Sequence, residues 1–166
     1  MTDEAHVLRE DQDGIATLTM NRPKARNALS LGMIASLQSE LEVLAKDDAV
    51  RVVILAGAGP AFCAGHDLKE IQSREYDRAY TTQLFDNCAE LMKTIVRLSK
   101  PVIARVHGIA TAAGAQLVAS ADLAISSSDA RFATPGVNIG LFCSTPMVAL
   151  SRICQERRAI DRERSC

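Results

Sequence analysis

An α/β architecture with a largely parallel or spiral sheet is the fold class this chain predicts. Three observations carry it. Helical and extended segments alternate along the sequence. Val52-Val53-Ile54-Leu55-Ala56 is a continuous apolar run, the pattern of a strand covered on both faces. Two look-alike stretches each pass from such a strand through a small-residue turn into a helix. The first runs from Val52 to Gly57 and on to Ala61-Phe62-Cys63-Ala64-Gly65-His66-Asp67-Leu68-Lys69-Glu70. The second runs from Pro101 to Gly108 and on to Ala112-Ala113-Gly114-Ala115-Gln116-Leu117. A helix N-terminus presents unpaired backbone N–H groups and the positive end of the macrodipole. Two such ends facing one point would hold an anionic oxygen, as an oxyanion hole does. That pattern points to acyl-group chemistry.

The elements follow in order. Val7 to Asp11 and Ile15 to Met20 read as strands joined by a turn at Asp13-Gly14, a hairpin signal. Asn21-Arg22-Pro23 breaks the second strand, because proline cannot continue the ladder. Ser30 suits the N-cap of a helix carrying Leu31, Ile34, Leu37, Leu41 and Leu44 on one face. After the Val52–Ala56 strand, one long helix is predicted from about Tyr76 to Leu98, burying Leu84, Cys88, Leu91, Ile95 and Leu98. Lys100-Pro101 ends it, and Val102 to Val106 is the next strand. Leu123-Ala124-Ile125 and Arg131-Phe132-Ala133 read as short extended pieces.

Composition excludes several classes. At 166 residues the chain is one domain's worth, enough to bury about 70% of its unfolded surface. Its net charge of −1 offers no basic field for nucleic acid or an anionic membrane. Apolar stretches are interrupted before the ~20 residues that a membrane span requires. The start, Met1-Thr2-Asp3-Glu4-Ala5-His6, is acidic and has neither a signal-peptide core nor a transit-peptide look, so the expected location is cytoplasmic. Cysteines 63, 88, 143, 154 and 166 are scattered and odd in number, which argues against a disulfide framework and a zinc site. Cys63, Cys88 and Cys143 read as small buried hydrophobes. Gly57-Ala58-Gly59 lacks the third glycine of a dinucleotide fingerprint, since Phe62 stands in its place, and reads as a plain turn.

Ala61 to Glu70 and Val106 to Asp122, together with Asn21-Arg22-Pro23-Lys24-Ala25-Arg26-Asn27-Ala28-Leu29, resemble the crotonase (enoyl-CoA hydratase/isomerase) superfamily over roughly residues 7 to 151. Within it, Gly65-His66-Asp67-Leu68-Lys69-Glu70, Ala110-Thr111-Ala112-Ala113-Gly114 and Phe132 to Pro146 look most like the enoyl-CoA hydratase domain-containing type. The resemblance implies a crotonase-like ββα spiral (a superhelix) that binds an acyl-CoA or enoyl-CoA thioester and serves fatty-acid metabolism. Coenzyme A enters as part of the substrate, with no separate cofactor and no metal. The thioester oxygen would sit between the backbone N–H groups of His66 and Ala113. Lys24, Arg26, Asn27 and Ala28 would lie along the nucleotide, and Ala64, Gly65, Asp67, Leu68 and Lys69 would complete the binding segment, with Lys24 and Lys69 as candidate phosphate partners. A homotrimer or hexamer is what the family implies.

Departures from the family pattern bear on the chemistry. Family hydratases use two glutamates, and those positions fall here on Gln116 and Gly136. A glutamine amide orients water but is not a useful base, and glycine has no side chain. General acid–base groups contribute about 10²–10⁴-fold each, so conventional hydration is not expected. Asp67 reads as a helix cap and Asp122 as structural, with Glu70 a weaker candidate acid.

Residues 1–151 read as the acyl-CoA-binding core. Residues 152–166 hold five arginines and three acids among fifteen residues, and read as a charged, solvated or disordered tail without family pattern. The expectation is a premature end or altered reading frame, with the family's C-terminal helical part missing. The alternatives are a non-catalytic acyl-CoA-binding or subunit-interaction module, or an inactive truncated fragment.

Overall fold

The computed structural model describes residues 5–140 and 142–163. Strand β1 (Val7–Gln12) pairs antiparallel with β2 (Ile15–Met20). Their two-residue loop places Asp13 and Gly14 at φ of 54° and 80°, the left-handed pair that a tight hairpin twisted with its strands needs. Helix α1 (Leu31–Leu44) starts where Ser30 Oγ accepts the Met33 N–H at 3.1 Å. Its buried stripe is Met33, Ile34, Leu37, Leu41 and Leu44.

Beyond it lie β3 (Val52–Gly57), α2 (Leu68–Ser73), α3 (Arg78–Arg97), β4 (Val102–Val106), β5 (Ile109–Thr111), α4 (Ala113–Ser120), β6 (Leu123–Ser126), β7 (Arg131–Ala133) and α5 (Ser144–Glu163). The main sheet has the order β1-β2-β3-β4-β6, parallel from β2 onward. A second, narrower layer holds the parallel pair β5–β7, and single parallel bridges link Leu29 to His66 and Cys63 to Ala110. The chain therefore winds repeatedly from a main-sheet strand to a short second-layer segment to a helix. This is the ββα spiral expected of the fold. It brings Leu29, Cys63–His66, Ala110 and β7 side by side, although they are far apart in sequence.

The core lies on one face of the main sheet. Ala16, Leu18, Met20, Val53, Leu55, Val102, Ala104 and Val106 point into it, against the stripes of α1 and α3. Two expectations need correction. β3 is not covered on both faces, because Val52 and Ile54 are only half-buried.

The helix expected from about Tyr76 to Leu98 is observed as α3, Arg78–Arg97. Glu75 and Tyr76 take φ of 52° and 56°, and Asp77 then accepts the Tyr80 N–H at 2.8 Å to start α3 afresh. Leu84, Cys88, Leu91 and Ile95 are buried as the stripe predicted, while Leu98 lies just beyond the last turn.

The irregular tail is not observed over the described part, where the backbone is helical through Glu163. Arginine, glutamine, glutamate and alanine all favour helix, so a charged string need not be irregular. No helix among the described residues is long and apolar enough to cross a membrane.

Candidate functional site: two turns in contact

The first turn joins β3 to α2. Cys63 N–H donates to Ile109 O at 3.0 Å, and Thr111 N–H donates back to Cys63 O at 3.0 Å. Ala64 N–H donates to Arg26 O at 3.0 Å, and Leu29 N–H to Gly65 O at 2.8 Å. A trans peptide is planar, with its C=O and N–H pointing opposite ways. Because the Gly65 carbonyl faces Leu29, the His66 N–H of the same peptide is directed away from Leu29. Asp67 then donates its N–H to Leu29 O at 3.1 Å and caps α2 through the Glu70 N–H at 3.2 Å. α2 has only six residues, and His66 precedes its cap. The His66 amide is therefore a turn amide, and the macrodipole argument does not extend to it.

The second turn joins β5 to α4. Ala112 is the N-cap of α4, at φ 50° and ψ −120°, a conformation that favours glycine and strains an L-residue. Its N–H donates to Ala133 O at 2.9 Å, and its carbonyl accepts the Gln116 N–H at 3.1 Å. By the same peptide geometry, the Ala113 N–H points out of the helix end.

The two turns touch. The position a Cβ would take on Gly65 lies 3.5 Å from Ala113 N and 3.1 Å from the Ala112 Cβ. Among the described residues, neither the His66 nor the Ala113 N–H has a hydrogen-bond partner. Gly114 packs so tightly on Cys63 that an added Cβ would collide with its carbonyl oxygen.

The site's side chains differ in environment. The His66 ring packs on Phe85 of α3 with centroids 4.5 Å apart, and its Nε2 is buried without a partner. Burial pushes the imidazole pKa down to about 4, so the ring is neutral at physiological pH. Burial also pushes the Cys63 thiol up to about 12 and that of Cys88 to about 11, which leaves both unreactive. Cys143, expected to be buried like these two, is only half-buried.

Gln116 is buried on the first turns of α4. Gly136 follows β7 in the short 3₁₀ segment Pro135–Ile139, and is thus close in sequence to the Ala133 that holds Ala112. Glu70 Oε2 accepts the Leu31 N–H at 3.2 Å, and Asp122 Oδ2 accepts the Val102 N–H at 2.7 Å. Both carboxylates thus serve helix and strand ends. No group of three or more His, Cys, Asp or Glu side chains gathers as a metal site among the described residues.

The nucleotide-side residues fall into two groups. Lys24, Arg26, Leu68 and Lys69 are exposed. Asn27 and Ala28 are buried. Asn27 spends its side chain on the fold: Oδ1 accepts the Arg22 N–H at 2.9 Å, while Nδ2 donates to Ala58 O at 2.9 Å and Ala61 O at 2.8 Å. Its Nδ2 has no donor left for a ligand in this arrangement. The open depressions along the solvent side of α3 and between α1 and the start of β1 lie away from the paired amides.

Sequence reasoning missed Arg22 and Phe85. Arg22 Nη1 lies 3.0 Å from Asp67 Oδ2 and donates to Ala28 O at 3.1 Å. The only sequence signal was its place in Asn21-Arg22-Pro23. Phe85 sits on the exposed side of an otherwise ordinary stripe and carries no local signal at all.

A sequence profile described as enoyl-CoA hydratase/isomerase matches residues 10–160. The Xenopus laevis enoyl-CoA hydratase domain-containing protein 3, mitochondrial, is 49% identical over 155 residues, covering 93% of this chain and 52% of the relative. The Homo sapiens protein of the same name is 48% identical over 149 residues, covering 90% of this chain and 49% of the relative. The chain thus spans about half the length of the curated relatives it matches. Among solved structures, the enoyl-CoA hydratase of Mycobacterium smegmatis superposes with a TM-score of 0.85 at 58% identity, over 90% of this chain and 58% of the other. The mitochondrial designation of the curated relatives overturns the cytoplasmic location expected from the first six residues.

Proposed function

The chain belongs to the enoyl-CoA hydratase/isomerase family, and on that premise we propose that it binds an acyl-CoA thioester whose carbonyl oxygen lies between the His66 and Ala113 N–H groups. One observation carries this reading: two unpartnered backbone amides leave neighbouring turns that are in contact through Gly65 and Ala113. Backbone donors fixed before the ligand arrives need no reorganisation when negative charge grows on the oxygen, and each is typically worth ~10²–10³ in rate. Exposed Lys24 and Lys69 stand on the two segments that the Ala64–Arg26 hydrogen bond joins, which suits them to the phosphates of CoA.

The same arrangement limits the chemistry. Polarising the thioester makes the α-proton more acidic and the β-carbon more electrophilic, but a group must still move a proton. Gln116 can hold a water without deprotonating it, and Gly136 offers nothing. Asp67, Glu70 and Asp122 are occupied with caps, ends and an ion pair. Binding and polarisation without efficient hydration is therefore the expected behaviour, a role in fatty-acid metabolism that stops short of conventional hydratase turnover. Calorimetry with crotonyl-CoA and its saturated butyryl counterpart, beside a spectrophotometric hydration assay, tests this. Binding of both with negligible turnover is expected. Turnover at ordinary enzyme rates of ~1–10³ s⁻¹ would overturn the limit on chemistry, and no binding of either thioester would overturn the site itself.

A further inference from the structure

We propose that Arg22 is a positioning residue that aims the His66 N–H through a relay of two peptide planes; the proposal rests on the thioester reading above. The relay begins at Arg22 Nη1, which donates to Ala28 O at 3.1 Å. Ser30 N–H shares that oxygen at 3.0 Å. The Ala28 carbonyl belongs to the same peptide as the Leu29 N–H, so holding the oxygen turns the N–H the opposite way. There it donates to Gly65 O at 2.8 Å. The Gly65 carbonyl in turn shares its peptide with the His66 N–H, which is thereby directed away from Leu29. Three hydrogen-bonding groups and two rigid planes connect a guanidinium to the amide proposed to hold the thioester oxygen.

The same nitrogen fixes the other end of the short segment. Arg22 Nη1 also pairs with Asp67 Oδ2 at 3.0 Å, and the Asp67 side chain is only 10% exposed. Asp67 follows His66 directly and donates its own N–H to Leu29 O at 3.1 Å. One cation therefore grips both strands of the isolated Leu29–His66 bridge, from Ala28 on one side and Asp67 on the other. The segment needs such a grip. Neither Leu29 nor His66 belongs to a longer ladder, and Gly65, at φ 92°, adds no side chain to resist rotation of the peptide that follows it. An N–H rotated away from its target by tens of degrees loses most of its hydrogen bond.

Absorbance of a bound cinnamoyl-CoA thioester tests the relay in the whole chain, because hydrogen bonding to its conjugated carbonyl moves the absorption to longer wavelength. The wild-type chain is expected to bind it with a clear red shift. Arg22→Gln is expected to change Kd by less than about threefold while losing most of the shift, and Arg22→Lys, which keeps the charge, to recover part of it. Asp67→Asn retains a good helix cap without the ion pair, and its shift is expected to fall between wild type and Arg22→Gln. An undiminished shift in Arg22→Gln would overturn the relay and leave the thioester site standing. Binding to the wild-type chain without any shift, or no binding, would overturn the paired-amide reading and the relay with it. If neither Arg22→Gln nor Asp67→Asn gave a cooperative thermal melt, the pair would be a stability element and the positioning role would fall.

Discussion

The two turns that present the candidate amides are built in opposite ways. The His66 turn is held by polar groups drawn from a distant segment: Arg26, Leu29 and Arg22 supply its backbone and ion-pair partners. The Ala112–Ala113 turn has one distant backbone partner, Ala133, and is otherwise held by closeness. Ala112 is strained, Gly114 lies against the Cys63 carbonyl, and no side-chain cap supports the helix end. Polar clamps can be weakened by degrees, whereas a backbone packed on a backbone has no slack. The two turns should therefore fail differently when disturbed.

The largest effect is expected at Gly114. An added methyl meets the Cys63 carbonyl oxygen, a backbone atom tied to Thr111 at 3.0 Å, with no flexible side chain to give way. Overpacking typically costs about 1–3 kcal/mol and occasionally more, and a backbone obstacle belongs at the upper end. Gly114→Ala is expected to lower the urea midpoint by the equivalent of about 3 kcal/mol, read by circular dichroism at unchanged slope. A loss below about 1 kcal/mol would show that the second turn can yield after all, and the contrast between the turns would fade.

Acid is the next probe, and through His66 it acts on the first turn. His66 has its pKa lowered from 6.5 to about 4 by burial. Between those values the unfolded chain takes up a proton that the folded chain refuses. The contribution of the neutral ring to stability is thus complete above pH ~6.5 and is lost progressively down to pH ~4. Each pH unit of that interval is worth at most about 1.4 kcal/mol, so the total loss is about 2 to 3 kcal/mol for a ring that keeps some contact with solvent. Denaturant midpoints measured from pH 7 to pH 4 should fall, and His66→Phe should flatten that part of the profile. An equally steep profile in His66→Phe would assign the acid sensitivity elsewhere.

How far the sequence reaches follows the same contrast between local and distant causes. The stripe of α1 and its Ser30 cap could be read directly, because both are written within a few residues and a 3.6-residue period. So could the Asp67 cap and the two strand–turn–helix stretches. The Arg22 relay could not, since its partners lie on another turn of the spiral and nothing local distinguishes Arg22 from a surface arginine. The start of α3 near Tyr76 could be read as well, although the left-handed angles of Glu75 and Tyr76 before it have no glycine or proline to signal them. Leu123 and Ile125 of β6, 61% and 65% exposed, look like core residues by type. Burial of an edge strand depends on a covering layer, and type alone does not reveal whether that layer is there.

The smallest expected effect has the opposite sign and sharpens the account of the second turn. At φ 50° and ψ −120°, an alanine at position 112 bears a backbone cost of about 1–3 kcal/mol. Glycine at the same place is free of that strain, although its more flexible unfolded state costs roughly 0.5–1 kcal/mol. The strain outweighs the entropy for most of that range, so Ala112→Gly should stabilise the chain by about 1 kcal/mol and raise the urea midpoint without changing its slope. The orientation of the Ala113 N–H should survive, because the Gln116 and Ala133 hydrogen bonds that set the turn are made by the backbone. Binding of crotonyl-CoA should accordingly change by less than about threefold. A lower midpoint would mean that the alanine methyl contributes packing worth more than the strain it carries, and closeness would then stabilise this turn at residue 112 as well as at Gly114.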